Sequence, residues 1–344
     1  MRILYAANYS LKNCGERYDH VVLKLQQGFS ANGHYVYPFS INDMERLSGP
    51  FGHRFMSKKH VNNALIKTCK SICPDILFIV HGKQISPESL KQIKRENPLI
   101  KIILFWGDAI WEGANNLDTI QSKLSSIDSL FITTGGPLLE QYAGPTRLVA
   151  YVPNPVEINI DRNKAFDNQN AIYDLIFIGR DEPSRNKILS LIKKELPHVK
   201  TGFFGCLGQP LKFGAEKESI IANSKMALNL TRRNDTHLCT SNRLSDTIAN
   251  GVLNFIDAAT GIQEMFNDKE AVYYSSIKDL IHKINYYHKN DEERRLLAKN
   301  GYMKIHKNLS ATQITKFMIN MTVEYNDEYV ITWPKYIYQK SKRK

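Results

Sequence analysis

Between Met226 and Gly261 the chain reads strand, loop, helix, strand, and that order constrains the fold more than any other stretch. Met226-Ala-Leu-Asn-Leu is a short apolar run that passes into Thr-Arg-Arg-Asn-Asp. Thr240-Ser241 then opens a helix and Asn250-Gly251 closes it, as the capping preferences of these residues dictate. Val252-Leu-Asn-Phe-Ile-Asp257 is a second apolar run, followed by Ala-Ala-Thr-Gly261. Two strands joined by a helical crossover lie parallel. Open parallel sheets bind ligands at the carboxyl ends of their strands, where the charged residues of this unit gather. A helix N-terminus at that edge favours an anion. The unit therefore reads as built for a phosphorylated ligand.

The same alternation runs along the whole chain. Strands are expected at Arg2–Ala7, Tyr35–Phe39, Ile76–Val80, Ile100–Trp106 and Leu130–Thr133. Val21, Val22, Leu25 and Phe29 mark a helix that stops at Asn32-Gly33. Val61 to Cys73 is a second helix, and Ser86-Pro87-Glu88 opens a third. Val152-Pro-Asn-Pro-Val156 is the clearest boundary, stiffened by two prolines. The pattern then restarts with strands at Leu175–Ile178, Lys200–Phe204, Met226 and Val272–Tyr274. Helices are expected at Ser184–Leu196, Ala215–Ser224, Ile277–Tyr287 and Asp291–Lys307, and a last one from Ser310. Strands and helices of these lengths imply parallel sheets covered on both faces. The expected domains are 1–155, 156–310, and a terminal piece at 311–344 that returns to the first domain and ends in a basic tail. The two halves are expected to meet across a cleft.

Bulk properties set limits. At 344 residues the chain exceeds the roughly 250–300 at which one core stops growing, so two domains are expected. A formal charge of +12 points to an anionic partner: a nucleotide, nucleic acid or an acidic membrane surface. A basic surface that serves only solubility is the competing reading. The five cysteines, Cys14, Cys69, Cys73, Cys206 and Cys239, are odd in number. Cys69 and Cys73 are one helical turn apart with no second pair to complete a zinc site. All five read as reduced thiols. No apolar run reaches the roughly 18 residues of a membrane span, and the chain starts directly with a strand. A cytoplasmic protein is expected.

Several chemistries lack their motifs. No Gly-x-Gly-x-x-Gly follows either first strand, and there is no Walker loop, which argues against a dehydrogenase or a kinase. No Gly-x-Ser-x-Gly elbow supports a serine hydrolase. What remains is arginine at strand ends and helix starts of the second half: Arg180, Arg185, Arg232, Arg233 and Arg243. The planar guanidinium fork matches diphosphate oxygens, with surface salt bridging as the ordinary alternative.

At this point the second half resembles the nucleotide-sugar domain of GT-B glycosyltransferases, most of all the CgeB-like group. Arg243-Leu-Ser-Asp246 matches that group's arginine and acidic residue at a helix start. Gly251, Asp257 and Gly261 follow in the family's order. Phe177-Ile-Gly179-Arg180, Glu264-Met-Phe266 and Tyr286 to Arg295 also fit. Pro74-Asp-Ile-Leu-Phe78 and Ile85-Ser-Pro-Glu88 resemble the first domain's counterparts. The likeness covers most of residues 1–310. It implies an α/β fold of two Rossmann-like, doubly wound domains facing a central cleft, the first binding the acceptor and the second the donor. Where the family usually has Glu, this chain has Asp246, one methylene shorter.

The resemblance assigns roles. Asp246 faces the ribose hydroxyls, and Gly179, Arg180, Arg185, Arg232, Arg233, Ser241, Asn242, Arg243, Asp257 and Gly261 surround the rest of the donor. Arginines and the N–H groups near Ser241 and Asn242 stabilise the leaving diphosphate. No cofactor or metal is implied, and there is no Asp-x-Asp pair to hold one. An inverting reaction needs a base for the acceptor hydroxyl, and the candidates are Asp19, His20, His81 and Asp108. Trp106, Trp111 and Tyr9 could stack on a sugar. As a first-turn carboxylate, Asp246 is expected to be replaceable by Ala with little loss of stability.

The implied activity is transfer of a sugar from a nucleotide sugar to a glycan or lipid-linked acceptor in bacterial surface polysaccharide synthesis. Two alternatives stand beside it. Phage DNA glycosyltransferases share the fold and a similar Arg-x-x-acid arrangement, and the basic charge suits DNA. A non-catalytic sugar-nucleotide or glycan-binding protein is the other. At the C-terminus, Trp333 to Lys344 mixes aromatics with cations, which fits loose association with the anionic inner face of a membrane as well as a solvated tail.

Overall fold

The computed structural model describes residues 1–47, 54–111, 117–233, 235–324 and 328–340, with side chains from 58 onward in the helix that begins at Arg54. The end of the basic tail, 341–344, lies outside the described residues. The chain forms two compact units: Met1–Pro153 with Ala311–Lys344, and Asn154–Ser310.

The first unit starts with β1 (Arg2–Ala7), α1 (Val21–Ala31), β2 (Tyr35–Ser40), α2 (Ile41–Arg46) and α3 (Arg54–Ile72). It continues through β3 (Ile76–Val80), α4 (Pro87–Glu96), β4 (Lys101–Trp106), α5 (Leu117–Gln121), β5 (Ser129–Ile132) and β6 (Leu148–Tyr151). The second unit carries β7 (Tyr173–Ile178), α6 (Pro183–Glu195), β8 (Thr201–Phe204), α7 (Gly214–Ala222) and β9 (Ser224–Asn229). There follow α8 (Asn242–Ala249), β10 (Leu253–Asp257), β11 (Val272–Tyr274), α9 (Ile277–Lys289) and α10 (Asp291–Asn308). The chain then supplies α11 (Ala311–Val323) and β12 (Ile337–Tyr338) to the first unit.

The sheet of the first unit has seven strands in the order β12-β6-β5-β4-β3-β1-β2, parallel except for β12. Its central strands are apolar at almost every position because helices cover both faces; all five residues of β3 are buried. β2 lies at the edge, so Pro38 interrupts no inner ladder. Under the sheet Tyr5 stacks on Phe78 at 5.2 Å, and Phe29 meets Phe78 edge-on at 4.8 Å. The second sheet has five parallel strands in the order β11-β10-β9-β7-β8. Leu228, Phe255, Leu189, Ile284 and Leu297 pack its core.

Both sheets reverse their strand order, between β1 and β3 in the first and between β7 and β9 in the second. Right-handed crossovers starting in opposite directions open a crevice at such a point, at the carboxyl edge. The helices are started by the residues that the sequence singles out. Ser86 Oγ accepts from Ser89 N at 3.2 Å with Pro87 behind it, and Ser241 Oγ accepts from Leu244 N at 3.3 Å.

Four elements were not anticipated: α2, α5, β6 and β12. They are short, and β12 pairs only through Ile337 with Ala150 and Tyr338 with Val149. The boundary at Val152–Val156 is not a solvated linker, since all five residues are buried. All five cysteines are free thiols.

Candidate functional site

In the second unit the switch between β7 and β9 is occupied by two arginines. Arg243, second residue of α8, donates from Nη2 to Leu230 O (2.7 Å) and from Nη1 to Ile178 O (3.3 Å). Arg185, on α6, donates from Nε to the same Leu230 O (3.1 Å) and from Nη1 to Arg180 O (3.1 Å). Both guanidinium carbons lie over the Phe177 ring, at 4.6 and 5.6 Å from its centre. Gly179 makes room for this: a Cβ there would lie 2.6 Å from Arg243 Nη1. Burial first, and then the Arg185 cation, push the Arg243 guanidinium down to about 9, so it stays charged at neutral pH. Burial lowers Arg185 as well.

Neither arginine hydrogen-bonds a carboxylate among the described residues. Two like charges share one carbonyl and one ring. Arg243 Nε is buried with no partner among the described residues. A buried donor left unmade is costly, and an anion between the two cations would relieve both the repulsion and the missing bond.

The neighbourhood holds more unfilled polar capacity. Asn229, at the end of β9 and 1% exposed, accepts from Ser241 Oγ at 3.4 Å, yet its Nδ2 is buried without a partner among the described residues. Asn154 is tied to the start of α8: its N donates to Thr240 Oγ1 at 2.9 Å and its Nδ2 to Thr240 O at 2.7 Å. Its Oδ1 is likewise buried without a partner there. Asn242 opens α8 half-exposed, and the exposed Arg180 side chain has no ion-pair partner among the described residues. Neither Asn154 nor Asn229 was singled out from sequence. A lone Asn carries no motif, and only the fold shows which of its atoms goes unpaired.

Other expected donor residues are engaged elsewhere. Arg232 Nε pairs with Glu182 at 2.8 Å, and Arg233 Nε with Asp235 at 2.8 Å, both on exposed side chains. Asp257 Oδ1 accepts from Ala259 N at 3.0 Å and so caps the turn after β10. Gly261 takes the left-handed φ of 72° beneath the His237 ring, whose Nε2 lies 3.1 Å from Glu264 Oε1.

Asp246 corrects an expectation. It is not a first-turn surface carboxylate: it is the fifth residue of α8, 5% exposed, with Oδ2 at 2.7 Å from Lys217 Nζ on α7. The inner face of α8 turns it towards α7. Its removal strips Lys217 of a salt bridge in a largely buried setting, so Asp246→Ala costs more than the roughly 1 kcal/mol of an exposed helix-dipole contact.

In the first unit, His81 and Asp108 come together at the carboxyl ends of β3 and β4. His81 Nδ1 lies 3.7 Å from Asp108 Oδ2, within ion-pair range but long for a hydrogen bond. The His81 ring meets Trp106 edge-on at 4.7 Å. Burial lowers the His81 pKa and the Asp108 charge opposes this, the net direction being down. Its neutral form therefore prevails at pH 7. With Nδ1–H turned to Asp108, Nε2 keeps a lone pair for a proton. His81 also holds a left-handed φ of 58°, uncommon outside glycine and asparagine.

His20 is differently placed. It caps α1, with Nδ1 accepting from Val22 N at 3.4 Å, which commits its acceptor nitrogen. Asp19 lies half-buried in the preceding loop. Tyr9 donates to Gln26 Oε1 at 2.6 Å and packs on Tyr5 at 6.2 Å, while Trp106 is 4% exposed. Neither ring is free to act as an open stacking platform. Trp111 is half-buried.

Residues 185–320 match the family described as glycosyl transferase-like. No curated protein sequence matches the chain. Among solved structures, sucrose-phosphate synthase from Thermosynechococcus elongatus superimposes with a TM-score of 0.58 at 13% identity, covering 94% of this chain and 99% of that one. A glycosyltransferase from Rickettsia africae gives 0.61 at 11%, covering 95% and 99%. Anabaena HepE in complex with UDP-glucose gives 0.57 at 10%, covering 95% and 100%. At these identities the likeness is one of fold. The chain accordingly has the fold of the GT-B glycosyltransferases, and its residues 185–320 are similar to the glycosyl transferase-like family.

Proposed function

We propose that this protein is a glycosyltransferase that moves a sugar from a nucleotide sugar to a hydroxyl of a glycan or lipid-linked acceptor, as in the CgeB-like group, in bacterial surface polysaccharide synthesis. The observation that carries the reading is the arginine pair at the β7–β9 switch, two cations with no carboxylate hydrogen-bonded to either among the described residues. A diphosphate would supply the counter-charge both cations lack, and the first turn of α8 adds N–H groups and the positive end of its dipole. Charge grows on that diphosphate as the glycosidic bond breaks, so fixed cations stabilise the transition state more than the ground state. Anabaena HepE, of the same fold, holds UDP-glucose in its structure, which supports a nucleotide sugar as donor. No metal or other cofactor enters this reading.

Among the described residues no helix is long and apolar enough to cross a membrane. The proposal puts the enzyme in the cytoplasm, where lipid-linked acceptors are presented at the inner membrane face. Thermal-shift measurement against nucleoside diphosphates and nucleotide sugars tests the donor reading. A ligand that binds only the folded state at a hundred times its Kd adds about 2.7 kcal/mol of stability. No shift with any of them would sink it.

His81 is the base this reading favours, oriented by Asp108. Asparagine tolerates the same left-handed backbone, so His81→Asn removes the imidazole while preserving the turn. Turnover is expected to fall by roughly 10²-fold or more, with the melting temperature close to that of the parent. Because burial lowers the His81 pKa, the parent's activity is expected to hold through neutral pH and fall only below the ordinary histidine value, as the ring takes its proton. His81→Asn with parental turnover would remove His81 from the chemistry.

A further inference from the structure

We infer that the outer face of α3 and α4 in the first unit docks on an anionic lipid bilayer. On α3, Val61, Leu65 and Cys69 turn inward, and Lys59, Lys67 and Lys70 lie exposed on the opposite side. Their spacing, with Asn63 between them, is that of one stripe along a helix. On α4, Lys91 and Arg95 are exposed one turn apart. The crossovers from β2 to β3 and from β3 to β4 run in the same direction across the sheet, so the two helices share one face and pack together.

None of these five cations has an ion-pair or hydrogen-bond partner among the described residues. Three exposed carboxylates lie nearby against the five cations. Glu96 accepts from Gln92 Nε2 at 2.9 Å, Asp75 accepts from Arg2 N at 2.7 Å, and Glu88 is the remaining carboxylate on the outer side of α4. The face therefore carries an excess of positive charge and is complementary to a surface of negative charge.

A second observation selects the kind of surface. Between the C-terminal ends of the same two helices lies a cavity of about 720 Å³, its lining part apolar, from Ile93, Leu99 and Ile100, and part charged, from Lys70, Asp75 and Glu96. Leu99 is 88% exposed. The bare Leu99, next to Lys70 at the rim of this cavity, suits shallow insertion among acyl chains under an anionic headgroup. It offers nothing to a nucleic acid, and neither helix carries a Phe, Tyr or Trp from residue 58 onward on which a base could stack. The inference does not rest on the donor site, and it locates the contact on the helices instead of on the tail at 341–344.

Co-sedimentation of the full chain with vesicles tests it. The parent is expected to sediment with phosphatidylcholine vesicles containing phosphatidylglycerol, not with phosphatidylcholine alone, and to be released by salt. Each cation near such a surface raises partitioning by roughly fivefold, so Lys59→Glu/Lys67→Glu/Lys70→Glu and, separately, Lys91→Glu/Arg95→Glu should each lose at least tenfold. Leu99→Asp should weaken binding without altering the charge pattern of either helix. Melting temperatures near that of the parent, and unchanged nucleoside diphosphate binding, show that the variants are folded. Deleting 341–344 should leave most of the binding in place. The inference falls if the parent ignores anionic vesicles, if the charge-reversal variants sediment like the parent, or if the tail deletion alone abolishes binding. It falls equally if duplex DNA displaces the parent from vesicles and loses affinity with the same variants.

Discussion

Arg243→Ala is expected to bind a nucleoside diphosphate about a hundredfold less tightly than the parent, with a much smaller loss for the bare nucleoside. One charge-assisted bond contributes roughly 1.5–3 kcal/mol, which is a factor of about 10 to 150 in affinity. The nucleoside lacks the charged group and so lacks the arginine's partner. Stability should fall far less. Leu230 O keeps its bond from Arg185, Ile178 O loses its bond from Nη1, and the repulsion between the two cations disappears. Arg243→Lys restores the charge without the fork and should lie between the two. Isothermal titration with both ligands, beside a melting curve, decides the matter. Equal losses for nucleoside and nucleoside diphosphate would make Arg243 a strut for the β7 and β9 carbonyls and nothing more. Arg185→Ala is the contrast: Arg243 also bonds two carbonyls, but Arg185 is 7% exposed where Arg243 is half-buried, so Arg185→Ala is expected to lose stability more visibly than Arg243→Ala does.

The strands that build both sheets were legible because buried parallel strands leave a strong trace: Ile-Leu-Phe-Ile-Val at β3 and Leu-Ile-Phe-Ile at β7 have few other uses. The helix starts at Ser86 and Ser241 were legible because their hydroxyls cap by local chemistry. What escaped is what depends on distant partners. β12 is two residues long and exists because β6 offers it an edge. Asp246 reads in sequence like a solvent-facing acid near a helix start, and only the approach of α7 brings Lys217 to it. The five arginines look equivalent in sequence. The fold divides them into a pair held by main-chain carbonyls at the switch, two engaged with Glu182 and Asp235, and the exposed Arg180. Asp108 and His81 are 27 residues apart, and it is the register of β3 against β4 that makes them neighbours.

The largest loss of stability from one small change is expected at Gly28. It sits inside α1, where glycine is a poor helix former, and local propensity alone predicts that Gly28→Ala gains up to about 1 kcal/mol. Packing predicts the reverse. A Cβ at residue 28 would lie 2.4 Å from Ala311 O, 2.5 Å from Ala311 C and 2.9 Å from Thr315 Oγ1. Two of those three atoms are main chain, so no rotamer change relieves them. The helices cannot simply part, because Asn32 Nδ2, just past the end of α1, donates to Thr312 O and to Thr315 Oγ1 of α11, each at 2.9 Å. Phe317 and Met318 of α11 are fully buried, so moving that helix outward uncovers core. Overpacking of this kind costs roughly 1–3 kcal/mol, and more where backbone must shift, which exceeds the gain in propensity. The net expectation is a loss of about 2–3 kcal/mol, read by urea unfolding of the first unit's transition. Hydrogen exchange should quicken in α1 and α11 and stay unchanged in α8 and β10 of the other unit. A variant as stable as the parent would mean that α11 does not approach α1 this closely, and that the return of the chain to the first unit is looser than its hydrogen bonds suggest.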